Sequence, residues 1–177
     1  MRNLRAVLTA VISLAVLVAP VSAAPTSNGD FVSGSGYRLT ENLVHFRVAA
    51  QTTPQGGASG SYLYRNLGFP LTFTGEVTCL DVAGNQAAVG GVITKFIANE
   101  PGFEVGEPFL VFFIDNGDPY RGQDGPDVVS QTYLGNLDDV LTEEELGVFP
   151  NTCPDAAHGH DEFGVRGNFQ VKDNLDN

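Results

Sequence analysis

The amino-acid sequence predicts an all-β protein, either a small antiparallel β-barrel or a β-sandwich of about seven to nine strands. Apolar and polar residues alternate with a period of two in most of its apolar segments. Glycine-rich turns separate these segments at short intervals. Only one short segment has the pattern of a helix. Together these observations favour short paired strands over helices.

The first half of the chain contains five strand segments. In one of them, Leu71, Phe73, Val77 and Cys79 fall on one face of the predicted strand, and threonine and glutamate fall on the other. The segment around Phe46 alternates in the same way. We therefore expect antiparallel strands at residues 31–39, 43–50, 61–66, 71–82 and 87–98.

The second half contains three further strand segments and the helix signal. Residues 109–114 (FLVFFI) are apolar on both faces, which predicts a central strand that is covered on both sides. Residues 127–134 and 165–172 complete the set of strands. Thr142 and Glu145 match a capping box, which predicts about one or two helical turns.

The amino terminus is typical of a secretory signal peptide. Two arginines precede an apolar run and then the small residues VSA, which predicts a signal peptide at 1–23 with cleavage after Ala23. The apolar run is shorter than the roughly 20 residues that span a bilayer. We therefore expect a secreted protein, extracellular or at the cell surface, without a membrane span. Residues 24–177 are expected to form a single β domain.

The predicted mature chain is strongly acidic. Cleavage after Ala23 leaves seven basic and 21 acidic residues, which gives a formal charge of −14. Nucleic acids and anionic membranes bind by attracting lysine and arginine, so this composition argues against both as partners. We expect an extracellular ligand or a surface partner, whose identity the composition does not define. The acidity also keeps a secreted protein soluble.

The chain has two cysteines, Cys79 and Cys153. Because secretion places them in an oxidising compartment, the even count predicts a disulfide bond between them. A link that encloses about 73 residues contributes roughly 4 kcal/mol in the chain-entropy description. Cys153 lies in an irregular segment with few apolar residues. The bond is therefore expected to tie that segment to the core.

Four sequence segments resemble a known protein module. They are SGSGYR, ASGSYLYRN, FTGEVTCLDVAGNQAAVGG and DNGDPYRGQD, in this order between residues 33 and 124. The chain is similar there to an uncharacterised small β-rich module of secreted and surface bacterial proteins, of the kind often found after choice-of-anchor segments. The resemblance implies an extracellular or cell-surface β domain and transfers no catalytic residue. An acidic insert at residues 136–163, which includes Cys153, departs from the module.

An aspartate-rich loop follows the apolar segment FLVFFI. It contains Asp115, Asp118, Asp124 and Asp127. Calcium prefers about six to eight oxygen ligands, so four carboxylates in a glycine-rich loop are a candidate calcium site, although their spacing does not match an EF-hand. Two other interpretations stay open. The loop is either a solvated acidic hairpin, or it holds a pair of catalytic carboxylates for glycoside hydrolysis.

The segment HGHDE is a second candidate metal site. In an extended segment, His158 and His160 would project to the same side, which suits zinc or copper. The alternative is a flexible acidic loop with pH-sensitive histidines. His45 stands on a polar strand face and is expected to be a surface residue.

Two classes of function are open at this point. The first is a secreted non-enzymatic β domain for surface display, adhesion or ligand capture, with calcium as a stabilising ion. The second is a small barrel enzyme, a cyclase, isomerase or hydrolase whose substrate lies in the barrel interior. An enzyme needs polar groups in that interior. The alternation directs mainly apolar residues inward, with Asp81 and Lys95 as the main exceptions, so we favour the non-enzymatic class and assign no catalytic residue.

Overall fold

The structure is a computed structural model that describes residues 29–38, 42–98, 103–117, 125–158 and 161–174. The predicted signal peptide lies outside the described residues, as do Asp118, Asp124 and His160. No helix among the described residues is long and apolar enough to cross a membrane.

The described residues form strands and one short helix, which confirms the predicted all-β class. The helix α1 spans Glu143–Val148. The strands are β1 (Phe31–Arg38), β2 (Val44–Thr52), β3 (Ala58–Asn66), β4 (Leu71–Ala83), β5 (Gln86–Ala98), β6 (Pro108–Ile114), β7 (Val128–Val129), β8 (Tyr133–Leu134) and β9 (Phe163–Lys172).

Eight of the strands close into an antiparallel barrel. Strands β1 to β6 follow one another around the wall, each paired with the next. Strand β9 pairs with β1 on one side and with β7 on the other, and β7 pairs with β6, so the sheet closes on itself. The remaining strand, β8, is an additional short partner of β6. Of the two predicted architectures, the structure is therefore the barrel.

Aromatic side chains fill the barrel. Phe46, Tyr62, Phe73, Phe109 and Phe113 are each at most 1% exposed to solvent. Their rings contact one another with centroid separations of 5.3 to 6.4 Å, a range in which aromatic pairs attract each other. The inward positions that the period-two pattern marks as apolar thus build one continuous core.

A β-bulge changes which residues of β4 face the barrel. Thr78 is an extra residue of β4 between two of its pairs with β5. Because an extra residue shifts the alternation by one position, the residues after it point to opposite faces. Val82 therefore packs in the barrel core, whereas Cys79 and Asp81 face outward, where both contact the insert. The predicted inward directions of Cys79 and Asp81 are wrong for this reason.

Strand β5 contains a second extra residue, Thr94, between its pairs with Thr74 and Gly75. Lys95 comes directly after it and is exposed to solvent. The prediction that Lys95 faces inward is wrong, because the bulge moves its side chain to the outer face. Neither of the two predicted inward charges therefore lies in the barrel interior.

The acidic insert packs against the outside of the barrel. Leu110 and Phe112 of β6 point away from the barrel core and are fully buried. They form a second apolar cluster with Leu137, Leu141 and Ala156 of the insert. Strand β6 is thus covered on both sides, as its doubly apolar sequence predicts.

Helix α1 begins with the predicted capping box. The Thr142 hydroxyl accepts the backbone N–H of Glu145, and the Glu145 carboxylate accepts the backbone N–H of Thr142 at 2.8 Å. Two of the N–H groups that a helix start leaves without partners are satisfied in this way. The capping box thus fixes the start of α1 within the insert.

Candidate functional site

Two of the four loop aspartates lie at the junction between β6 and β9. Asp127 Oδ2 accepts the backbone N–H of Phe169 at 3.0 Å, and Asp115 Oδ2 accepts the backbone N–H of Val171 at 3.0 Å. Their other carboxylate oxygens accept N–H groups of the loop itself. Both side chains are therefore engaged with backbone donors.

Both contacts bind β9 beyond the residues that pair with β7 in the described part of the chain. Strand β9 pairs with β7 through only two residue pairs, Val128–Gly164 and Val129–Phe163. Farther along β9, the aspartate carboxylates take the place of strand carbonyls as acceptors. A buried N–H without an acceptor costs about 1–3 kcal/mol. Asp115 and Asp127 thus have a structural role in barrel closure.

The surroundings of Asp127 perturb the pKa of its carboxyl group. Burial raises the pKa of Asp127 above its ordinary value, and the charge of Asp115 raises it further. The N–H groups of Phe169 and Asn116 oppose that rise. Among the described residues, no group of three or more histidine, cysteine, aspartate and glutamate side chains is placed to hold a metal ion. Because Asp118 and Asp124 lie outside the described residues, the four-aspartate calcium site stays a prediction.

His158 belongs to the insert on the outside of the barrel, and its side chain contacts Glu145 and Phe112. Its Nδ1 is 3.7 Å from Glu145 Oε1, and its ring stacks against Phe112 with a centroid separation of 6.1 Å. The zinc or copper site with His160 stays a prediction, because His160 lies outside the described residues. His45 is half-buried on the outer wall, where its ring lies 4.9 Å from that of Tyr37.

The disulfide bond joins the insert to the bulged part of β4. Cys79 and Cys153 are bonded, with their Cα atoms 5.2 Å apart, as predicted. Asp81, which the same bulge turns outward, accepts the N–H of Ala156 at 2.8 Å. Cys79 and Asp81 therefore anchor the insert at neighbouring outward positions.

An open cleft of about 720 Å³ lies between one end of the barrel and the insert. The segment 131–136, which connects β7 through β8 to the insert, forms one wall. The lining is mainly polar and includes the rings of Phe103, Tyr133 and His158. Its polar residues include Gln131, Asn136, Asp139 and Asp161.

A buried arginine lies beside this cleft. Arg38, at the end of β1, shares the inward face of the strand with Val32 and is only 8% exposed. Its Nη1 donates to the carbonyl of Ser130 at 2.9 Å, and its guanidinium lies 5.0 Å from the ring centre of Phe163. Its Nε is buried and has no hydrogen-bond partner among the described residues.

Two tyrosines near the cleft have raised pKa values. The Tyr62 hydroxyl is 2.8 Å from Thr132 Oγ1 in the cleft wall. Burial raises the pKa of Tyr62 well above its ordinary value, while the hydrogen bond with Thr132 and the charge of Arg38 oppose that rise. Burial also raises the pKa of Tyr133, and Arg38 again opposes the rise. Burial is thus the main influence on both hydroxyl groups.

The protein is a closed eight-stranded antiparallel β-barrel, with the acidic insert packed on its outside and a polar cleft at one end. No protein-family model, no curated protein and no solved structure matches this chain. The likeness to a module of secreted bacterial proteins therefore stays an expectation from the sequence.

Arg38 and the cleft were not among the residues predicted to form a site. Period two from Val32 through Gly34 and Gly36 directs Arg38 inward, so a signal for this residue was present in the sequence. The cleft carries no comparable signal, because its lining residues form no recognisable motif and its shape depends on how the insert packs against the barrel.

Proposed function

We propose that this protein is a secreted non-enzymatic β domain that captures a small ligand in the cleft beside the barrel end. The observation that carries the proposal is the filled interior: the largest inward side chains are at most 1% exposed and contact one another. An interior packed in this way offers a substrate no space of its own. The cleft lies outside that core, and its volume is in the range of small-molecule sites.

The lining of the cleft supports binding rather than surface display alone. Amide, hydroxyl and carboxylate groups stand beside the rings of Phe103 and Tyr133. Such a combination can orient a polar ligand by hydrogen bonds and cover one of its faces with an aromatic ring. The disulfide bond and the second apolar cluster hold the insert side of the cleft against the barrel. A rigid cleft loses less entropy when a ligand binds.

Affinity selection with mass spectrometry tests the proposal. The mature protein, residues 24–177 with the disulfide intact, is incubated with an extracellular small-molecule extract, separated from free compounds and denatured. We expect a retained compound whose mass is unchanged after long incubation. Conversion of the compound into a product of different mass would support the barrel-enzyme alternative instead.

Two variants locate the bound compound. Gln131 and Asp139 line the cleft with exposed side chains, so Gln131→Trp and Asp139→Trp should occupy the cleft without disturbing the core. Glu76→Trp, on the exposed face of β4, is the matched control. We expect at least a tenfold loss of retained compound in the two cleft variants only. Equal retention by all three variants would place the ligand elsewhere and contradict the proposal.

A further inference from the structure

The basic residues of this acidic protein are concentrated on one side of the barrel. Four of the seven that follow the predicted cleavage site lie at outward positions of the neighbouring strands β9, β1, β2 and β3. They are Arg47, Arg65, Arg166 and Lys172, and all four are exposed to solvent. The same four strands contain no aspartate or glutamate. We call their outer surface the basic wall.

The acidic insert lies on the opposite side of the barrel. It packs against β6, and β2 is four strands away from β6 in either direction around the eight-stranded wall. The insert contains eight aspartates and glutamates and no lysine or arginine. Packed sheets lie about 10 Å apart, and exposed charges are screened over about 8 Å at physiological ionic strength. The adjacent arginines therefore act on an anion at the basic wall more strongly than the insert does.

Cross-strand pairing places two of the arginines and two rings in one row. Arg166 of β9 pairs with Tyr37 of β1. Tyr37 also pairs with His45 of β2, which in turn pairs with Arg65 of β3. Neighbouring strands are about 4.8 Å apart, so the row is about 14 Å long. A positive charge thus stands at each end of the row, and between them the ring of Tyr37 is 40% exposed.

An open groove of about 430 Å³ lies on the wall between β1 and β2. Its lining includes Ser33, Ser35, His45, Arg47 and Ala49. The small side chains of β1 leave space beside the guanidinium group of Arg47. Hydroxyl groups next to a guanidinium group can bind both the hydroxyl and the anionic groups of one ligand.

We infer that the basic wall binds an acidic polysaccharide, a linear chain of sugars that carries carboxylate or sulfate groups. The arginines bind the anionic groups through paired N–H donors. The exposed ring of Tyr37 covers the apolar face of a sugar, and the serines bind sugar hydroxyls. None of the described residues that line the cleft belongs to the basic wall, so this surface goes beyond the proposed function.

Two other anionic partners fit this surface less well. A peptide that extends a sheet needs a free strand edge, whereas β1, β2, β3 and β9 each pair with a strand on both sides. A second copy of the chain would bring its whole formal charge of −14, which repels the equal charge of the first copy. A polysaccharide strand brings only the charges of the sugars near the wall.

Calorimetric titration of the wild-type mature protein in calcium-free buffer tests this inference. Polygalacturonate is the carboxylate probe, its methyl ester is the uncharged analogue, and dextran sulfate is the sulfate probe. We expect saturable binding of at least one charged polymer and none of the ester, and the polymer that binds identifies the anionic group. Absence of binding to both charged polymers would overturn the inference. Equal binding of single-stranded DNA would also overturn it, because any linear polyanion would then suffice.

Substitutions locate the bound polymer. Arg47→Gln, Arg65→Gln and Arg166→Gln each remove one exposed charge from the wall, and we expect at least threefold weaker binding for each and at least tenfold for the three combined. Lys95→Gln removes one exposed charge from β5 and is the matched control, which should bind as the wild type does. An equal loss in the control would overturn the inference, because net charge would then govern binding. The Tm of each variant verifies its fold.

A second copy of the chain is the main competing occupant. Sedimentation velocity would then show concentration-dependent association that the combined variant loses, without polysaccharide binding, and that result would overturn the inference. The cleft variant Gln131→Trp should bind the polymer as the wild type does. The proposed function and the polysaccharide surface therefore fail independently.

Discussion

Asp127 and Phe169 are 42 residues apart in sequence, yet the Oδ2 atom of Asp127 accepts the buried N–H of Phe169 at 3.0 Å. This contact, together with the one from Asp115 to Val171, closes the barrel between β6 and β9. A side-chain carboxylate therefore does the work of a strand carbonyl at this junction. Two of the aspartates that suggested a metal site or a catalytic pair are thus parts of the barrel wall.

Asp127→Ala should lower the free energy of unfolding by about 1–3 kcal/mol, because the N–H of Phe169 loses its acceptor inside the protein. Urea denaturation measures the change. Asp138→Ala is the control, since Asp138 is exposed, and its effect should stay within about 0.5 kcal/mol. Equal effects of the two substitutions would show that the Asp127 carboxylate does not support the closure.

The pH dependence of stability should carry the signature of Asp127. Burial raises the pKa of Asp127 in the folded state, so the folded protein holds this proton more tightly than the unfolded chain does. The contribution of Asp127 is then fully present below its ordinary pKa and is lost as the pH rises through the raised value. We expect the stability difference between wild type and Asp127→Ala to decrease over that pH range. A difference that increases with pH there would contradict the sign.

The calcium proposal predicts a higher Tm in millimolar calcium than in excess chelator, by an amount that follows ligand linkage. Asp115 and Asp127 are unsuitable for testing it, because both also bind backbone N–H groups of β9. Asp118→Asn and Asp124→Asn are the informative variants and should abolish the calcium effect. If the wild-type Tm does not change with calcium, the loop is not a calcium site.

Replacement of both Cys79 and Cys153 by serine should lower the free energy of unfolding by roughly 4 kcal/mol. The main structural effect should be local, because the bond ties the insert to β4. We expect amide protection to decrease in the insert and to persist in β1 to β3, as measured by hydrogen exchange. Reductant should reproduce the effect in the wild type only. Unchanged protection in the insert would mean that the second apolar cluster suffices to hold it.

Thr142→Ala should destabilise α1 by about 1 kcal/mol, since it removes the N-cap acceptor. The same cap lowers the pKa of Glu145 through its hydrogen bonds with Thr142. Its contribution is present above the ordinary pKa of glutamate and is lost as the pH falls through the lowered value. The hydrogen-exchange protection factors of the α1 amides should therefore fall in acid for the wild type and less so for Thr142→Ala. Identical acid responses would exclude the capping box as the cause.

Local patterns in the sequence are sufficient for several features of this fold. Alternation identifies strands β2 and β4, the doubly apolar segment identifies β6, and Thr142 with Glu145 identifies the start of α1. Each of these signals lies within a few neighbouring residues. These elements can therefore be predicted without knowledge of how distant parts of the chain pair.

Features that depend on distant pairing could not be predicted in the same way. The extra residues Thr78 and Thr94 are defined only by the register between β4 and β5, and they reverse the directions expected for Asp81 and Lys95. The partner of Asp115 is 56 residues away along the chain. The inward direction of Arg38 follows from alternation, but its contacts with Ser130 and Phe163 join positions that are far apart along the chain.

The pairing of β1 with β9 has a mechanical consequence. Phe31 and Lys172 are paired residues, so the chain enters β1 and leaves β9 at the same end of the barrel. Tension applied across these two points would separate the strands one residue pair at a time, like a zipper, instead of loading all of their hydrogen bonds at once. A tether on either side of the domain would attach near that end. Arg38, at the other end of β1, would lie far from the attachment.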